Sequence, residues 1–394
     1  MSPELLNHSP DLKQLRDEGY EISIVNTYLL VKHVPYVNDT KNIVYGILIS
    51  TLDLAGDNTV KPKSHVVLWA GSYPCNSEGI KLSMLVNDPN RHDKICEDLY
   101  ATLSFSQKLR NEGYNDYYEK ITTYVKILES YAHVIDPNAT ARTFPVIPSD
   151  KDNSVFCYMD TATSRAGISA ANEKLNTGKI AIIGLGGTGS YVLDFIAKTP
   201  VEEIHLFDGD DFLQHNAFRS PGAPDIDELK KKERKVDWFA GVYSKMRHNI
   251  FPHAQYIDEK NVVELKDMNF AFICMDGQNK KAIIDFFLEK KIPFIDTGIG
   301  IYDTDGLLGG GARVTTCTPN FNEHIARRID FNGDGNNEYE TNIQIAEINA
   351  LNAALAVIKW KKLSGFYLDM GNEYNTTYGI ITNSIDNDEY FEKK

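Results

Sequence analysis

Four closely spaced glycines form the segment of the chain whose spacing points most directly to chemistry. They follow the apolar residues 180–183 and precede an amphipathic helix pattern, and they are Gly184, Gly186, Gly187 and Gly189. Glycine lets a backbone turn tightly and lets its N–H groups approach an anion, while the start of a helix adds partial positive charge. The segment therefore predicts a turn that binds the phosphates of a nucleotide.

Two carboxylates follow the next predicted strand. Asp208 and Asp210 come directly after the strand pattern of residues 203–207. A carboxylate at the end of this second strand can accept hydrogen bonds from both hydroxyls of a ribose. Because this pattern fits NAD(P) as well as ATP, an NAD(P)-dependent oxidoreductase remains an alternative function.

A set of amide, cationic and acidic side chains farther along the chain favours ATP. Asn216, Arg219 and Lys235 follow in this order, and an apolar strand pattern then ends at Asp276. Cations can neutralise the phosphate oxygens and the departing pyrophosphate, and a carboxylate can hold Mg²⁺. We therefore predict ATP and Mg²⁺ as cofactors and attack of a carboxylate on the α-phosphate.

In this order and at this spacing, the residues resemble those of the ThiF/MoeB-like adenylyltransferases, the superfamily that includes ubiquitin-activating enzymes. The resemblance covers about residues 156–363. It implies that Asp208 binds the ribose and that Asp276 coordinates Mg²⁺. The phosphate contacts that it implies are Asn216, Arg219 and Lys235.

The resemblance also implies partners. Arg165, in the segment 163–168 before the glycines, would reach the ATP of a partner protomer in a homodimer. The carboxylate would be the C-terminus of a ubiquitin-like or sulfur-carrier protein, and a conjugating enzyme is a possible further partner.

The chain lacks several cysteines and one asparagine that are found in members of the family. Gly277 stands where the family usually has Asn, and the chain has no pair of Cys-x-x-Cys motifs for Zn²⁺. The crossover segment 320–341, where some members hold a thioester-forming cysteine, contains none. Cys317 is the nearest candidate, although a strand residue packed in the sheet is the simpler interpretation. A non-catalytic scaffold that binds nucleotide therefore remains a further alternative.

Prolines and polar residues at about 145–155 predict a boundary between two domains. Short β-type runs and one amphipathic helix predict an α+β domain at 1–150, which resembles an uncharacterised domain preceding the adenylyltransferase in some bacterial proteins. We expect it to dock a partner or to build the dimer.

Alternating strands and helices predict a doubly wound, Rossmann-like α/β domain at 156–365. The acidic segment 366–394 is expected to be a loosely ordered tail.

The elements expected for the α/β domain can be read from periodicity. The predicted strands are 179–183, 203–207, 254–258, 270–275, 292–296 and 312–318. The predicted helices are 188–198, 225–248, 278–290 and 343–361.

Composition excludes several classes of function. The 394 residues are 42% hydrophobic and 24% charged, with a net charge of −14. The negative charge argues against binding to nucleic acid or to acidic membranes. The longest apolar run is too short to span a bilayer, and we find no leader pattern. With five scattered cysteines, the expected location is the cytoplasm.

Overall fold

The structure, a computed structural model, describes residues 6, 8–56, 58–108, 113–149, 154–277, 279–329, 331 and 343–391. The chain divides into two compact units, Met1–Ile147 and Pro148–Lys394. None of the helices in the described part of the chain has the length and apolar character needed to cross a membrane.

The N-terminal unit is built on an antiparallel sheet. Its elements are helices α1 (Pro10–Asp17) and α2 (Tyr117–Ile135) and strands β1 (Ile22–Val25), β2 (Tyr28–Val37), β3 (Ile43–Thr51), β4 (Leu54–Ala55), β5 (Asn58–Thr59), β6 (Val66–Ala70), β7 (Val86–Asp88), β8 (Asp93–Cys96), β9 (Leu99–Ala101) and β10 (Leu103–Ser106). The main sheet has the order β1-β2-β3-β6-β10-β7. Helix α2 starts where the Asp116 side chain accepts a hydrogen bond from the Glu119 N–H. Its apolar stripe, which includes Ile121 and Val125, is buried in the core with Trp69.

The C-terminal unit contains the glycine segment. Its helices are α3 (Thr161–Arg165), α4 (Ser169–Glu173), α5 (Gly187–Ile196), α6 (Gln214–Ala217), α7 (Ile226–Lys231), α8 (Lys235–Tyr243), α9 (Lys280–Lys290), α10 (Ile325–Arg328) and α11 (Ala346–Leu363), with a 3₁₀ turn at Val262–Asp267. Its strands are β11 (Lys179–Ile183), β12 (Glu203–Phe207), β13 (Ile250–His253), β14 (Phe270–Ile273), β15 (Phe294–Thr304), β16 (Leu307–Cys317), β17 (Glu373–Gly379) and β18 (Ser384–Tyr390).

One eight-stranded sheet organises this unit, in the order β13-β12-β11-β14-β15-β16-β17-β18. The strands from β13 to β15 pair in parallel, and the remaining strands pair in antiparallel fashion. Ile180 and Ile182 of β11 belong to one apolar core with helices α5 and α11. Ala181 and Ile183, on the other face, belong to a second core with α9. The predicted α/β fold with a doubly wound, Rossmann-like sheet is confirmed.

Two predicted elements of this unit differ from the structure. The strand expected at 254–258 lies earlier, at β13, because this is an edge strand whose middle residues, Phe251 and Pro252, are exposed and give little apolar signal. The helix expected at 225–248 is two helices, since Lys232 adopts a left-handed conformation, with φ of 49°, and ends α7.

The described part of the acidic segment, residues 366–391, is also ordered, contrary to the expected loose tail. It forms β17 and β18 at the edge of the sheet. Arg327 donates to both carboxylate oxygens of Glu389, and Arg328 donates to Glu389 and Asp388 at 2.7 and 2.6 Å. The hydrogen bonds from Arg327 and Arg328 lower the pKa of Glu389 to about 2, although burial opposes this shift. Acidic residues therefore bind this hairpin to α10.

Replacing Glu389 with glutamine is expected to lower the free energy of unfolding near pH 7 by about 1 kcal/mol. A carboxylate whose pKa is depressed by folding stabilises the fold above its unfolded pKa of about 4.3, and this contribution disappears as the pH falls toward 2. The difference in free energy of unfolding between wild type and Glu389→Gln, measured by denaturant titration, should therefore shrink from pH 7 to pH 3. A free-energy difference that is equal at both pH values would contradict the assignment. So would a difference equal to that of the exposed control Glu259→Gln.

Candidate functional site

The carboxyl ends of four parallel strands bring the predicted site residues to one edge of the sheet. In the register, Ile183 of β11 pairs with Phe207 of β12 and with Ile273 of β14, which in turn pairs with Asp296 of β15. The glycine segment, Asp208 and Asp276 follow the ends of the first three strands. Ligands of open α/β sheets bind in the crevice at this edge.

The glycine segment is a tight turn between β11 and α5. Gly184 has a φ of +89°, which favours glycine, and its N–H donates to the Phe207 carbonyl at 2.8 Å. A Cβ at Gly189 would overlap the Gly184 carbonyl oxygen. At Gly186, by contrast, a Cβ would meet only Gln344 Oε1, at 3.9 Å, among the described residues. Gly189 is therefore needed to close the turn, and Gly186 leaves its outer side open to a ligand.

Asp208 joins the turn to the second strand. Its carboxylate accepts hydrogen bonds from the Leu185 N–H at 2.7 Å and from the Asp210 N–H at 2.8 Å. Lys235 Nζ lies 2.5 Å from Asp210 Oδ2 and 3.6 Å from Asp208 Oδ1. Asp208 and Lys235 are buried, at 7% and 5% exposure. The four residues form one hydrogen-bonded unit that fixes the start of the turn.

Asp210 is held as a carboxylate. Burial raises its pKa, but hydrogen bonds from Lys235 and Tyr256 and the charge of Arg219 outweigh burial and leave the pKa below its ordinary value. The same two cations also affect His215. Burial and the charges of Arg219 and Lys235 lower the pKa of this imidazole. Arg219 and Lys235 therefore act on the same small region beside the turn.

Asn216 has one free hydrogen-bonding group in this region. Its Oδ1 accepts from the Leu213 N–H at 2.8 Å, which fixes the side chain at the start of α6. Its Nδ2 is buried and has no hydrogen-bond partner in the described part of the chain. A buried amide without an acceptor is costly, so this donor fits a ligand oxygen. The open side of Gly186 and this donor are what an anionic nucleotide such as ATP requires.

Asp276 lines a cleft that starts at the glycine turn. Gly186, Gly187 and Thr188 line the cleft together with Asp276 and Thr297. The Asp276 side chain is 65% exposed. Mg²⁺ is commonly held by one or two carboxylates together with substrate phosphates, so a single exposed carboxylate here fits this ion. No cluster of three or more metal-ligating side chains occurs among the described residues.

Sequence reasoning missed an ionic chain beside Asp276. Lys280 Nζ lies 2.8 Å from Asp296 Oδ1 and 3.7 Å from Asp276 Oδ1. Arg313 Nη2 lies 2.6 Å from Asp296 Oδ2. The spacing of Asp276 and Lys280, one helical turn apart, was an available signal. Asp296 and Arg313 join them only through the pairing of β15 with β14 and β16.

Helix α11 and the residues before it supply amide side chains that were also missed. Thr188 Oγ1 donates to Asn349 Oδ1 at 3.1 Å, and Asn352 Nδ2 donates to the Gly298 carbonyl at 3.2 Å. Gln344 lines the same cleft as Gly186. Asparagines that interrupt an otherwise apolar helix were the signal, because a buried polar side chain needs a partner.

Two further predicted residues lie in distinct settings. Arg165 is exposed at the end of α3, and its action on a partner's nucleotide stays a prediction. Cys317 is 2% exposed in β16, and burial raises its pKa to about 12. A thiol that is buried and protonated is a poor nucleophile, so the structure argues against the predicted thioester role of Cys317. Half of the crossover segment, residues 330 and 332–341, lies outside the described residues.

Comparisons with known proteins give two family matches. A model of the ThiF family matches residues 161–385, and a model of a domain of unknown function (DUF6791) matches residues 10–161. No curated protein has a matching sequence.

Several solved structures are similar to the chain. One is a crystal structure of E. coli MccB with succinimide, with 18% identity, 58% of this chain and 69% of that chain covered, and a TM-score of 0.45. The crystal structure of E. coli MccB with ATP gives 18% identity, 58% and 69% coverage and a TM-score of 0.44. The crystal structure of PaaA gives 17% identity, 69% and 86% coverage and a TM-score of 0.46.

Gly189→Ala is expected to open the glycine turn, because its Cβ would overlap backbone rather than a mobile side chain. Overpacking of this kind costs about 1–3 kcal/mol, and the variant should lose the rise in melting temperature that we expect ATP to give the wild type. The matched control is Gly241→Ala in α8, where a Cβ meets no atom within 4 Å. This control should be neutral or more stable by up to about 1 kcal/mol and should keep the ATP response. Equal behaviour of the two variants in thermal-shift assays would contradict the role of Gly189.

Proposed function

Because the chain belongs to the ThiF family of adenylyltransferase-type enzymes, we propose that it transfers AMP from ATP to the carboxylate of a protein or peptide substrate. A carboxylate oxygen attacks the α-phosphorus, the bond from phosphorus to the bridging oxygen breaks, and pyrophosphate leaves with the electron pair. The observation that supports this most directly is the cleft that the open glycine turn shares with the exposed carboxylate of Asp276. The partnerless donor of Asn216, which follows the end of β12, adds a further group for a ligand oxygen.

Each predicted residue has a role in this proposal. The N–H groups at the start of α5 bind phosphate oxygens, and Asp208 accepts from the ribose hydroxyls. An ionised carboxylate has about four acceptor positions, so Asp208 can do this while it keeps the bonds from Leu185 and Asp210. Asn216 and Arg219 stabilise the charge of the phosphates. Lys235 fixes the two aspartates, and we propose that it also contacts phosphate.

The metal and the nucleophile need little further chemistry from the protein. Mg²⁺ bound at Asp276 would supply charge that offsets the phosphate oxygens. The attacking carboxylate is already ionised at neutral pH, so the reaction requires no general base. The protein's contribution is therefore to bind, to orient and to neutralise charge.

The finer assignments extend the proposal to partners. We propose that the substrate is the C-terminus of a ubiquitin-like or sulfur-carrier protein in the cytoplasm. The enzyme would be a homodimer in which Arg165 reaches the partner's nucleotide. The N-terminal unit would dock a partner or build the dimer. These assignments follow from the family pattern of the sequence. A conjugating enzyme is a further partner that fits this proposal.

Thermal-shift measurements distinguish the adenylyltransferase from the oxidoreductase. ATP with Mg²⁺ is expected to raise the melting temperature, and NADH or NADPH is not, because only a triphosphate uses the Asn216 and Asp276 groups. Asp276→Asn should weaken binding of ATP in Mg²⁺ by about tenfold and should not weaken binding without Mg²⁺, since the substitution removes a negative charge beside the phosphates. The control Asp285→Asn alters an exposed ion pair on α9 and should have no effect. A shift with NADH alone would overturn the proposal, and ATP binding without AMP transfer to any carrier protein would favour a scaffold.

A further inference from the structure

A second cleft adjoins the one that starts at the glycine turn. The two clefts share Asp276, Gly298 and Ile299. The second is lined farther on by Lys280, Arg313 and Thr377, and it contains none of the glycines that form the phosphate turn. A ligand in the second cleft would therefore lie beside a nucleotide in the first, on the far side of Asp276.

Lys280 is a buried cation of this cleft that is not needed to pair a buried carboxylate of the fold. Its side chain is 5% exposed, and its ammonium group is 2.8 Å from a carboxylate, Asp296, that is fully buried. Burying a lysine costs several kcal/mol unless its charge is paired. Asp296, however, is already paired with the Arg313 guanidinium at 2.6 Å. The single negative charge of Asp296 thus faces two cations.

Asp276 supplies the second negative charge in a set of four groups that also contains Lys280, Asp296 and Arg313. With Asp276 Oδ1 3.7 Å from Lys280 Nζ, two carboxylates face two cations and the net charge of the four groups is zero. Asp276 is also the carboxylate proposed above to hold Mg²⁺. When a dication binds Asp276, the set becomes net positive, and the nearest cation in the second cleft is Lys280. An anion that enters this cleft is then attracted to Lys280.

We propose that Lys280 binds the carboxylate of the acyl substrate and orients it toward the α-phosphate in the adjoining cleft. This inference rests on the proposed adenylyl transfer. One carboxylate oxygen forms the new bond to phosphorus as pyrophosphate departs with its electron pair. The other oxygen becomes the carbonyl oxygen of the acyl adenylate and continues to accept a hydrogen bond from Lys280. Lys280 is thus in contact with the acyl group before and after transfer.

Arg313 and Asp296 act as positioning residues for Lys280. Arg313 donates to Asp296 and to the Thr315 hydroxyl, which in turn donates to Asn375 at 2.7 Å. These bonds lock the guanidinium into the sheet, whereas Lys280, among the described residues, has one ion pair at 2.8 Å, with Asp296, and a longer one at 3.7 Å, with Asp276. The lysine is therefore the group that can turn a donor toward a substrate.

Direct binding of two nucleotides tests this role without knowledge of the natural substrate. The probes are AMP and 5′-O-[N-(acetylglycyl)sulfamoyl]adenosine, a stable mimic of an acyl adenylate, each titrated by calorimetry. Lys280→Met should weaken binding of the mimic about 10- to 100-fold, the effect of losing one hydrogen bond to a charged group, and should leave AMP binding unchanged. Lys290→Met, at an exposed position of the same helix, should match wild type for both probes.

The outcomes separate this inference from the proposed function. If the wild type binds neither AMP nor ATP, the proposed function itself fails. If AMP binds normally and Lys280→Met keeps wild-type affinity for the mimic, Lys280 does not contact the acyl group and only this inference is overturned. Equal losses for AMP and the mimic would show a purely structural role. Should Lys280→Met fail to fold, Lys280→Arg, which keeps the pair with Asp296, should still bind AMP and weaken the mimic selectively.

Discussion

The hydrogen bond from the Leu185 N–H to the Asp208 carboxylate links the two sequence features on which the site depends. Glycines make the turn after β11 possible, but glycine also leaves a chain free to adopt many other conformations. Asp208 removes that freedom by fixing the turn against the end of β12, at 2.7 Å. The Lys235 ammonium pairs with the partly exposed Asp210 and lies near the buried Asp208, so the turn is preorganised before any ligand arrives. Binding energy is then available for the nucleotide rather than for ordering the loop.

Asp276 stands between two regions of different charge. On one side, backbone N–H groups of the glycine turn and the amide of Gln344 suit phosphate oxygens. On the other, Lys280, positioned by Asp296 and Arg313, suits a carboxylate. An adenylyl transfer has to bring two anions together, and their repulsion is lowest where fixed cations flank both. A metal at Asp276 would contribute to both sides, which explains physically why an exposed carboxylate lies at the junction of the two clefts.

The sequence predicted what depends on local pattern. Strands at 179–183 and 203–207 match β11 and β12, because β11 is a nearly continuous apolar run, β12 is mostly apolar, and glycine or aspartate follows each. It did not predict what depends on distant pairing. Asp296 and Arg313 meet through the hairpin of β15 and β16, and Asn349 reaches Thr188 from far along the chain. The acidic end was expected to be loosely ordered, since its charge pattern gives no sign of the arginines of α10 that bind it.

The central claim is that ATP binds with its phosphates on the glycine turn and its α-phosphorus facing the second cleft. Crystals grown with ATP and Mg²⁺ test this most directly. We expect phosphate oxygens at hydrogen-bonding distance from the N–H groups of Gly186 and Gly187, the ribose hydroxyls at Asp208, and the metal at Asp276. Phosphates bound away from the turn, or a ribose that does not contact Asp208, would contradict the account.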